Sequence, residues 1–263
     1  MMDRPSESKH RDLRIRKSFL RANDLIASGD IAEAEMILLD NCNMSCSDSM
    51  VLLGCIRAEG TEGGKHQALE WFTEAANLGD SSGMRNAGYC FALGIGCEQE
   101  KSEAVRWYRM AAEAGNAKAQ CNLGVMFEFG NGVKKDYSEA ARWFLESAEN
   151  GYSRGQTNIG ILLMEGRGVT QDEEAAERWF RASGTPRANY NLARILLDPD
   201  YGHSNRAEAL SLLEESSSSG YVKAMSFLAE LLANEDERKS EKLKQEVLLI
   251  YEARSLKRRN RRK

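Results

Sequence analysis

The residues that could break or make bonds are few in this chain, and they are scattered. There are three histidines, His10, His66 and His203, at unrelated points. A histidine acting as general base needs a nucleophile or acid held beside it, and no spacing here supplies one. Cys42 and Cys46 are set too far apart for a redox Cys-x-x-Cys pair, and no second pair stands at zinc spacing. Gly94-Ile-Gly96, Gly130-Asn-Gly132 and Gly166-Arg-Gly168 could cradle a phosphate only if a strand led into each. No strand does, so they read as turns between helices. No catalytic residue, cofactor-binding residue or metal ligand is expected.

What the chain repeats is a spacing. All four tryptophans, Trp71, Trp107, Trp143 and Trp179, stand 36 residues apart. A fixed period of this size marks one supersecondary unit copied and stacked. The copy from Ala119 to Tyr152 reads AQCNLGVMFEFGNGVKKDYSEAARWFLESAENGY. Gly83–Asn116 and Gly155–Gly184 repeat it closely. Ser49–Asp80 has a loop two residues shorter, and Ala188–Tyr221 carries Leu212 where tryptophan would stand.

Each copy splits into two helices. Helix A is short and apolar, as in Cys121–Phe129, and Gly130-Asn-Gly132 ends it. Asp136, Asp172 and Ser102 sit where helix B would take an N-cap or first turn. Helix B carries Ala140, Trp143, Phe144, Ser147 and Ala148 on one stripe. Gly54, Gly88, Gly124 and Gly160 recur inside helix A, with Ala193 in the fifth copy. Glycine in mid-helix costs about 1 kcal/mol relative to alanine, so its recurrence predicts a crossing point, with the helix-B tryptophan lying over the gap.

These residues resemble the Sel-one-like repeat (SLR) family, relatives of the tetratricopeptide repeat. The resemblance rests on Asn-Leu-Gly, an aromatic three residues on, Gly-x-Gly-Val, Ala-x-x-Trp-aromatic and a closing glycine. It covers about residues 48–233, with Arg57 and Leu212 as departures near its ends. It implies an all-α fold, a right-handed α-solenoid or superhelix of stacked helix–turn–helix repeats. The expected organisation is a flexible basic segment over 1–10, a tetratricopeptide-like capping hairpin over 11–47, about five SLR units over 48–221, and capping helices with a basic tail over 222–263. In the last of these, Leu243, Val247, Ile250 and Tyr251 are expected to cover the final repeat.

The family offers no catalytic residues to carry over and implies a scaffold that holds other proteins. In tetratricopeptide relatives helix A lines the concave surface. There the positions three before and one after the glycine give the pairs Val51 and Cys55, Arg85 and Tyr89, Cys121 and Val125, Thr157 and Ile161, Tyr190 and Arg194. This ladder either binds a peptide or packs adjacent A helices together. Asn86, Asn122, Asn158 and Asn191 also keep the frame, as structural hydrogen-bonders or as clamps on a peptide backbone. Arg106, Arg142 and Arg178 pair with Glu103, Glu139 and Glu174 at helical spacing and read as a solvated face.

Charge adds a rival reading. The net charge is −4, yet residues 1–22 carry +4 and 254–263 carry +7, leaving −15 between them. The tail residues Lys257, Arg258, Arg259, Arg261, Arg262 and Lys263 could contact nucleic acid, an anionic membrane, an acidic protein or the acidic body itself, or act as a nuclear import signal. No aromatics interleave them, so base stacking is not indicated. No apolar run reaches the length of a membrane span, and the N-terminus lacks the apolar stretch of a signal peptide. A monomeric cytoplasmic adaptor with reduced cysteines is expected, nuclear if a eukaryotic import signal is at work, binding a protein or peptide on the concave helix-A face. The alternative is nucleic-acid or membrane association through the basic tail.

Overall fold

The computed structural model describes residues 5–260, with side chains over 12–255. Among these residues the chain forms fourteen α-helices and no strand. A hairpin of α1 (Pro5–Ser28) and α2 (Ile31–Asn43) comes first. Five A–B pairs follow: α3 (Ser47–Ala58) with α4 (Glu62–Asn77), α5 (Ser81–Leu93) with α6 (Lys101–Glu113), α7 (Ala117–Phe129) with α8 (Tyr137–Glu149), α9 (Ser153–Glu165) with α10 (Glu173–Ser183), and α11 (Pro186–Leu196) with α12 (Arg206–Ser218). Helices α13 (Val222–Leu232) and α14 (Glu237–Asn260) close the chain. The chain divides into two compact units, Met1–Trp143 and Phe144–Lys263. The division falls inside α8, where the 36-residue frame runs on unbroken and marks nothing.

Helix α1 starts at Pro5, inside the stretch expected to be flexible, and residues 1–4 lie outside the described residues. The hairpin packs Ala22, Ala34, Leu38 and Cys42 on Met50 and Leu53 of α3. Buried Asn41 ties the three helices together. It accepts a hydrogen bond from Ser18 Oγ at 2.7 Å and donates to Ser49 Oγ at 3.2 Å.

Helix ends follow from local chemistry. Asp80, Asn116, Asp136, Asp172, Thr185 and Asn205 each accept backbone N–H groups in the first turn of the helix they cap. Asp136 and Asp172 cap as the sequence indicates, whereas Ser102 lies inside the first turn of α6 and donates to Glu100. The A helices end on Gly94, Gly130 and Gly166 at φ +72°, +68° and +63°, the left-handed region glycine tolerates. The A–B turn is then pinned back onto helix A: the N–H of Glu100 reaches Phe91 O, Asp136 reaches Phe127 O and Asp172 reaches Leu163 O, at 2.9 to 3.0 Å.

The helix-A glycines do mark a crossing point, but another side chain fills it. A Cβ on Gly54 would lie 2.5 Å from Phe72 Cε1, one on Gly88 2.9 Å from Tyr108 Cδ1, and one on Gly160 2.7 Å from Phe180 Cε1. The ring over each glycine is thus the aromatic after the tryptophan, not the tryptophan itself. Successive residues of a helix point about 100° apart, so only one of the pair can face its own helix A. Trp71 instead packs partly buried on the α1–α3 cluster and Trp107 on Ala68, Phe72, Ala87 and Cys90, each in part against the preceding hairpin. Trp143 is buried, and the Arg142 guanidinium stands 4.1 Å over its ring.

In the second unit Phe180, Leu192, Leu196, Leu213, Met225 and Leu228 share one core. Helix α14 covers it with Leu243, Val247 and Ile250. Tyr251, expected on that face, is exposed, because its position lies at the edge of the stripe.

The second glycine of each turn carries a tighter constraint. Gly96 has φ +70°, and a Cβ there would overlap the backbone carbonyl of Lys65 at the start of α4; Gly132 repeats this against Lys101 of α6. Gly132→Ala combines a left-handed backbone with a backbone clash and should cost about 3 kcal/mol or more, whereas Gly115→Ala, at φ +81° with open space around it, should cost about 1 kcal/mol. The two urea midpoints compared with wild type check this.

Candidate partner-binding surface

The exposed stripe of helix A is where the sequence placed its candidates, and the structure sorts them. In the first unit α3 and α5 lie side by side, and a cleft of about 390 Å³ opens between them. Cys55, Arg85, Asn86 and Tyr89, from three positions of the repeat frame, line it over a floor that includes Phe72 and Ile95. Tyr89 is 48 % exposed and Arg85 half-buried. Glu59 stands on the rim, so the cleft offers an aromatic face, a cation and an anion.

Other members of the ladder are differently placed. Val51, Val125 and Tyr190 are half-buried, and Arg194 is exposed. Cys121, Thr157 and Ile161 are buried, at 0, 2 and 7 % exposure, and cannot meet a partner as they stand. Thr157 is held by hydroxyl contacts with Ser183 at 2.7 Å and Thr185 at 2.9 Å. Ile161 belongs to the core of the second unit. The position one after the glycine therefore changes role from copy to copy, exposed as Tyr89 and packed as Ile161.

Two of the asparagines reach a neighbouring A helix. Asn86 Nδ2 points at Cys55 Sγ, 3.8 Å away on the preceding A helix. Asn158 Oδ1 accepts from Arg187 of the following A helix at 3.1 Å, and Asn191 Nδ2 donates to the Arg187 carbonyl at 2.8 Å. Asn122 is half-buried. On the B helices Arg106 and Arg142 pair with Glu103 and Glu139 at 2.9 Å, as their spacing indicates, whereas Arg178 is exposed and does not pair with Glu174.

A further pattern escaped the reading of the sequence. The second residue of helix A is Lys118, Arg154, Arg187 and Lys223 in four successive copies, all exposed. Six residues before the glycine position, it lies on the same stripe as the ladder, because seven residues make nearly two helical turns. Alignment on apolar residues passed over it, although the same frame contains it. Of the basic tail, Lys257, Arg258 and Arg259 lie on the last turns of α14, and Arg261, Arg262 and Lys263 fall outside the described residues.

Chemistry at the other candidates is structural. His66 bonds the Gly96 carbonyl at 3.0 Å, and His203 stacks edge-on to Tyr201; His10 lies on α1. Among the described residues no group of histidine, cysteine and carboxylate side chains could hold a metal. Glu177 takes hydrogen bonds from Tyr201 and Arg181. Burial pushes its carboxyl up, but these bonds and the Arg181 charge outweigh it and hold the group below its usual range. An acid–base group near neutrality needs the opposite shift.

The chain matches the Sel1 repeat model over residues 47–80, 81–116, 117–152, 153–184 and 186–221. It belongs to the Sel1 repeat family. Two solved structures resemble it. One is c5321, a protective antigen of uropathogenic Escherichia coli strains displaying an SLR fold, at 26 % identity over 83 % of this chain and 49 % of that one, with TM-score 0.74. This chain therefore spans about half the length of that antigen. The other is a Sel1 repeat protein from Oxalobacter formigenes, at 24 % identity over 88 % of this chain and 99 % of that one, with TM-score 0.78. Among curated proteins none matches the sequence. Sel1 repeat proteins generally mediate protein–protein interaction and are typically non-catalytic scaffolds. No helix among the described residues is long and apolar enough to cross a membrane.

All six cysteines are free thiols. Burial first, then neighbouring Cys46, pushes Cys42 up to about 12; burial, then Cys97 and Cys55, does the same to Cys90. Cys55 is exposed, and its thiol is raised by burial against the opposing pull of Arg85. A thiol raised to about 12 stays protonated and unreactive at pH 8. Iodoacetamide at that pH should therefore modify Cys55 in the folded protein and reach Cys42 and Cys90 only after denaturation, as read by mass mapping of the labelled peptides.

Proposed function

We propose that this Sel1 repeat chain is a non-enzymatic adaptor that binds a segment of a partner protein on the exposed stripe of its A helices. The observation that carries the reading is the cleft between α3 and α5, which gathers the equivalent residues Cys55 and Tyr89 with Arg85 and Asn86 of α5. Its apolar floor and exposed tyrosine suit a partner side chain, and the Arg85 guanidinium and Asn86 amide suit the polar groups of a peptide. Three buried residues, Cys121, Thr157 and Ile161, are left out of the proposal; Arg85, Tyr89 and Val125 remain as candidates on the first unit, and Tyr190 and Arg194 separately on the second.

Tyr89→Asp puts a charge at the mouth of the cleft without touching the core. Affinity purification with quantitative mass spectrometry should show partners recovered by wild type falling about tenfold or more with the variant, as for a buried interface aromatic. Unchanged recovery, with the thermal midpoint also unchanged, excludes this cleft.

A second reading rests on α14. Its Leu248, Leu249 and Tyr251 are exposed, at 55, 63 and 55 %, and the basic residues follow them on the same helix. A basic helix with exposed apolar groups suits an anionic surface. If it acts so, deleting residues 254–263 removes binding to anionic vesicles or oligonucleotides, and the wild-type affinity drops steeply between low and moderate salt.

A further inference from the structure

The cations of the second unit are divided between two kinds of environment. On α10, α12 and α14 several are drawn into ion pairs, Arg181 with Glu177 and Glu208, Arg206 with Glu235 in the turn before α14, and Lys239 with Glu214 of α12 at 2.5 Å, while Arg178 and Arg238 are exposed without one among the described residues. On the A helices Arg154, Arg187 and Lys223 are exposed and have no ion pair among the described residues. They occupy one frame position on α9, α11 and α13. Arg194 stands on the same stripe of α11, 5.9 Å over the Tyr190 ring, also with no carboxylate partner. Tyr190 in turn packs edge-on against Tyr221 at 5.6 Å and Phe227 at 6.0 Å, an aromatic platform between α11 and the start of α13. Asn158 holds the Arg187 guanidinium in place from α9. Two carboxylates share the stripe, Glu165 at the end of α9, which pairs with Arg167, and Glu230 at the far end of α13, two turns from Lys223.

Resting on the adaptor reading, we propose that Arg154, Arg187 and Lys223, with Arg194 and Tyr190, form a docking row for an acidic, extended segment of a partner protein. Charge complementarity names the occupant. Four exposed cations without counter-ions sit on a chain whose residues 23–253 carry net −15. A short acidic segment can lie on the row and end there, whereas a long polyanion would run on past the carboxylates of the B helices. Geometry sets its pattern. Packed helices lie about 8–10 Å apart, and an extended chain advances roughly 3.3 Å per residue. One step along the row therefore matches three residues, and the favoured segment carries aspartate or glutamate at every third position.

The test uses the full chain and a fluorescein-labelled peptide with aspartate at every third position among glycine and serine, measured by anisotropy. The control peptide has asparagine in place of aspartate. Wild type should bind the aspartate peptide, lose affinity as salt is raised, and bind the control roughly tenfold more weakly. The double variant Arg154→Glu/Lys223→Glu should lose about tenfold or more for the aspartate peptide, with Arg154→Gln/Lys223→Gln between the two. Arg106→Gln, on a solvated B-helix face, should leave peptide binding unchanged. If the charge-reversed protein keeps its melting temperature and still binds like wild type, the row is overturned. Tighter binding to a single-stranded oligonucleotide or to phosphatidylserine vesicles than to the aspartate peptide overturns it too. Recovery of cellular partners that fails with Tyr89→Asp but survives Arg154→Glu/Lys223→Glu keeps the adaptor reading and removes the row; the reverse keeps the row and removes the cleft.

Discussion

The contact on which the rest depends is the flat approach of an aromatic ring to a glycine inside helix A. Phe72 over Gly54, Tyr108 over Gly88 and Phe180 over Gly160 leave no room for a single added carbon. That contact sets how closely the two helices of a hairpin can lie. A second set of close approaches carries the spacing from one hairpin to the next. Gly83 meets Ala75 and Gly155 meets Ser147 on the preceding B helix, while Gly96 and Gly132 rest on the backbone at the start of the B helix before them. The mid-helix glycines lose about 1 kcal/mol each in helix propensity, and dense packing at the crossing offsets the loss.

Much of this was legible because it depends on residue type. Only glycine enters the left-handed turns at Gly94, Gly130 and Gly166, and only a small residue fits the crossing, so both recur at a readable period. The division of labour between Trp and its neighbour was not legible. Both are large and aromatic, and which faces its own helix A turns on a helical phase that composition does not encode. The same limit applies to the ladder. Tyr89 and Ile161 hold the same place in the frame, yet one lines an open cleft and the other joins a core. Burial there depends on which side chains the neighbouring helices bring, a property of the stack and not of the copy. Tyr251 failed for a simpler reason, since it sits at the edge of an apolar stripe whose width the sequence leaves open.

The basic row shows what separates structural from available positions. The residue five before the glycine is Ser49, Gly83, Ala119, Gly155, Ala188 or Ala224, and each is buried. A small side chain there lets helix A approach the preceding B helix. Its neighbour one step earlier is turned by about 100° and cannot share that contact. It is exposed at Lys118, Arg154, Arg187 and Lys223 because the fold has already used the adjacent direction. Packing therefore explains why the position is open but not why it is basic. Elsewhere in the second unit the same side-chain types are drawn into ion pairs, as Arg181, Arg206 and Lys239 are. Exposed ion pairs of that kind are worth at most about 1 kcal/mol each, so stability gives little reason to place cations at Arg154, Arg187 and Lys223. The recurrence of a basic residue there is intelligible if the A-helix cations meet a counter-charge that this chain does not itself supply.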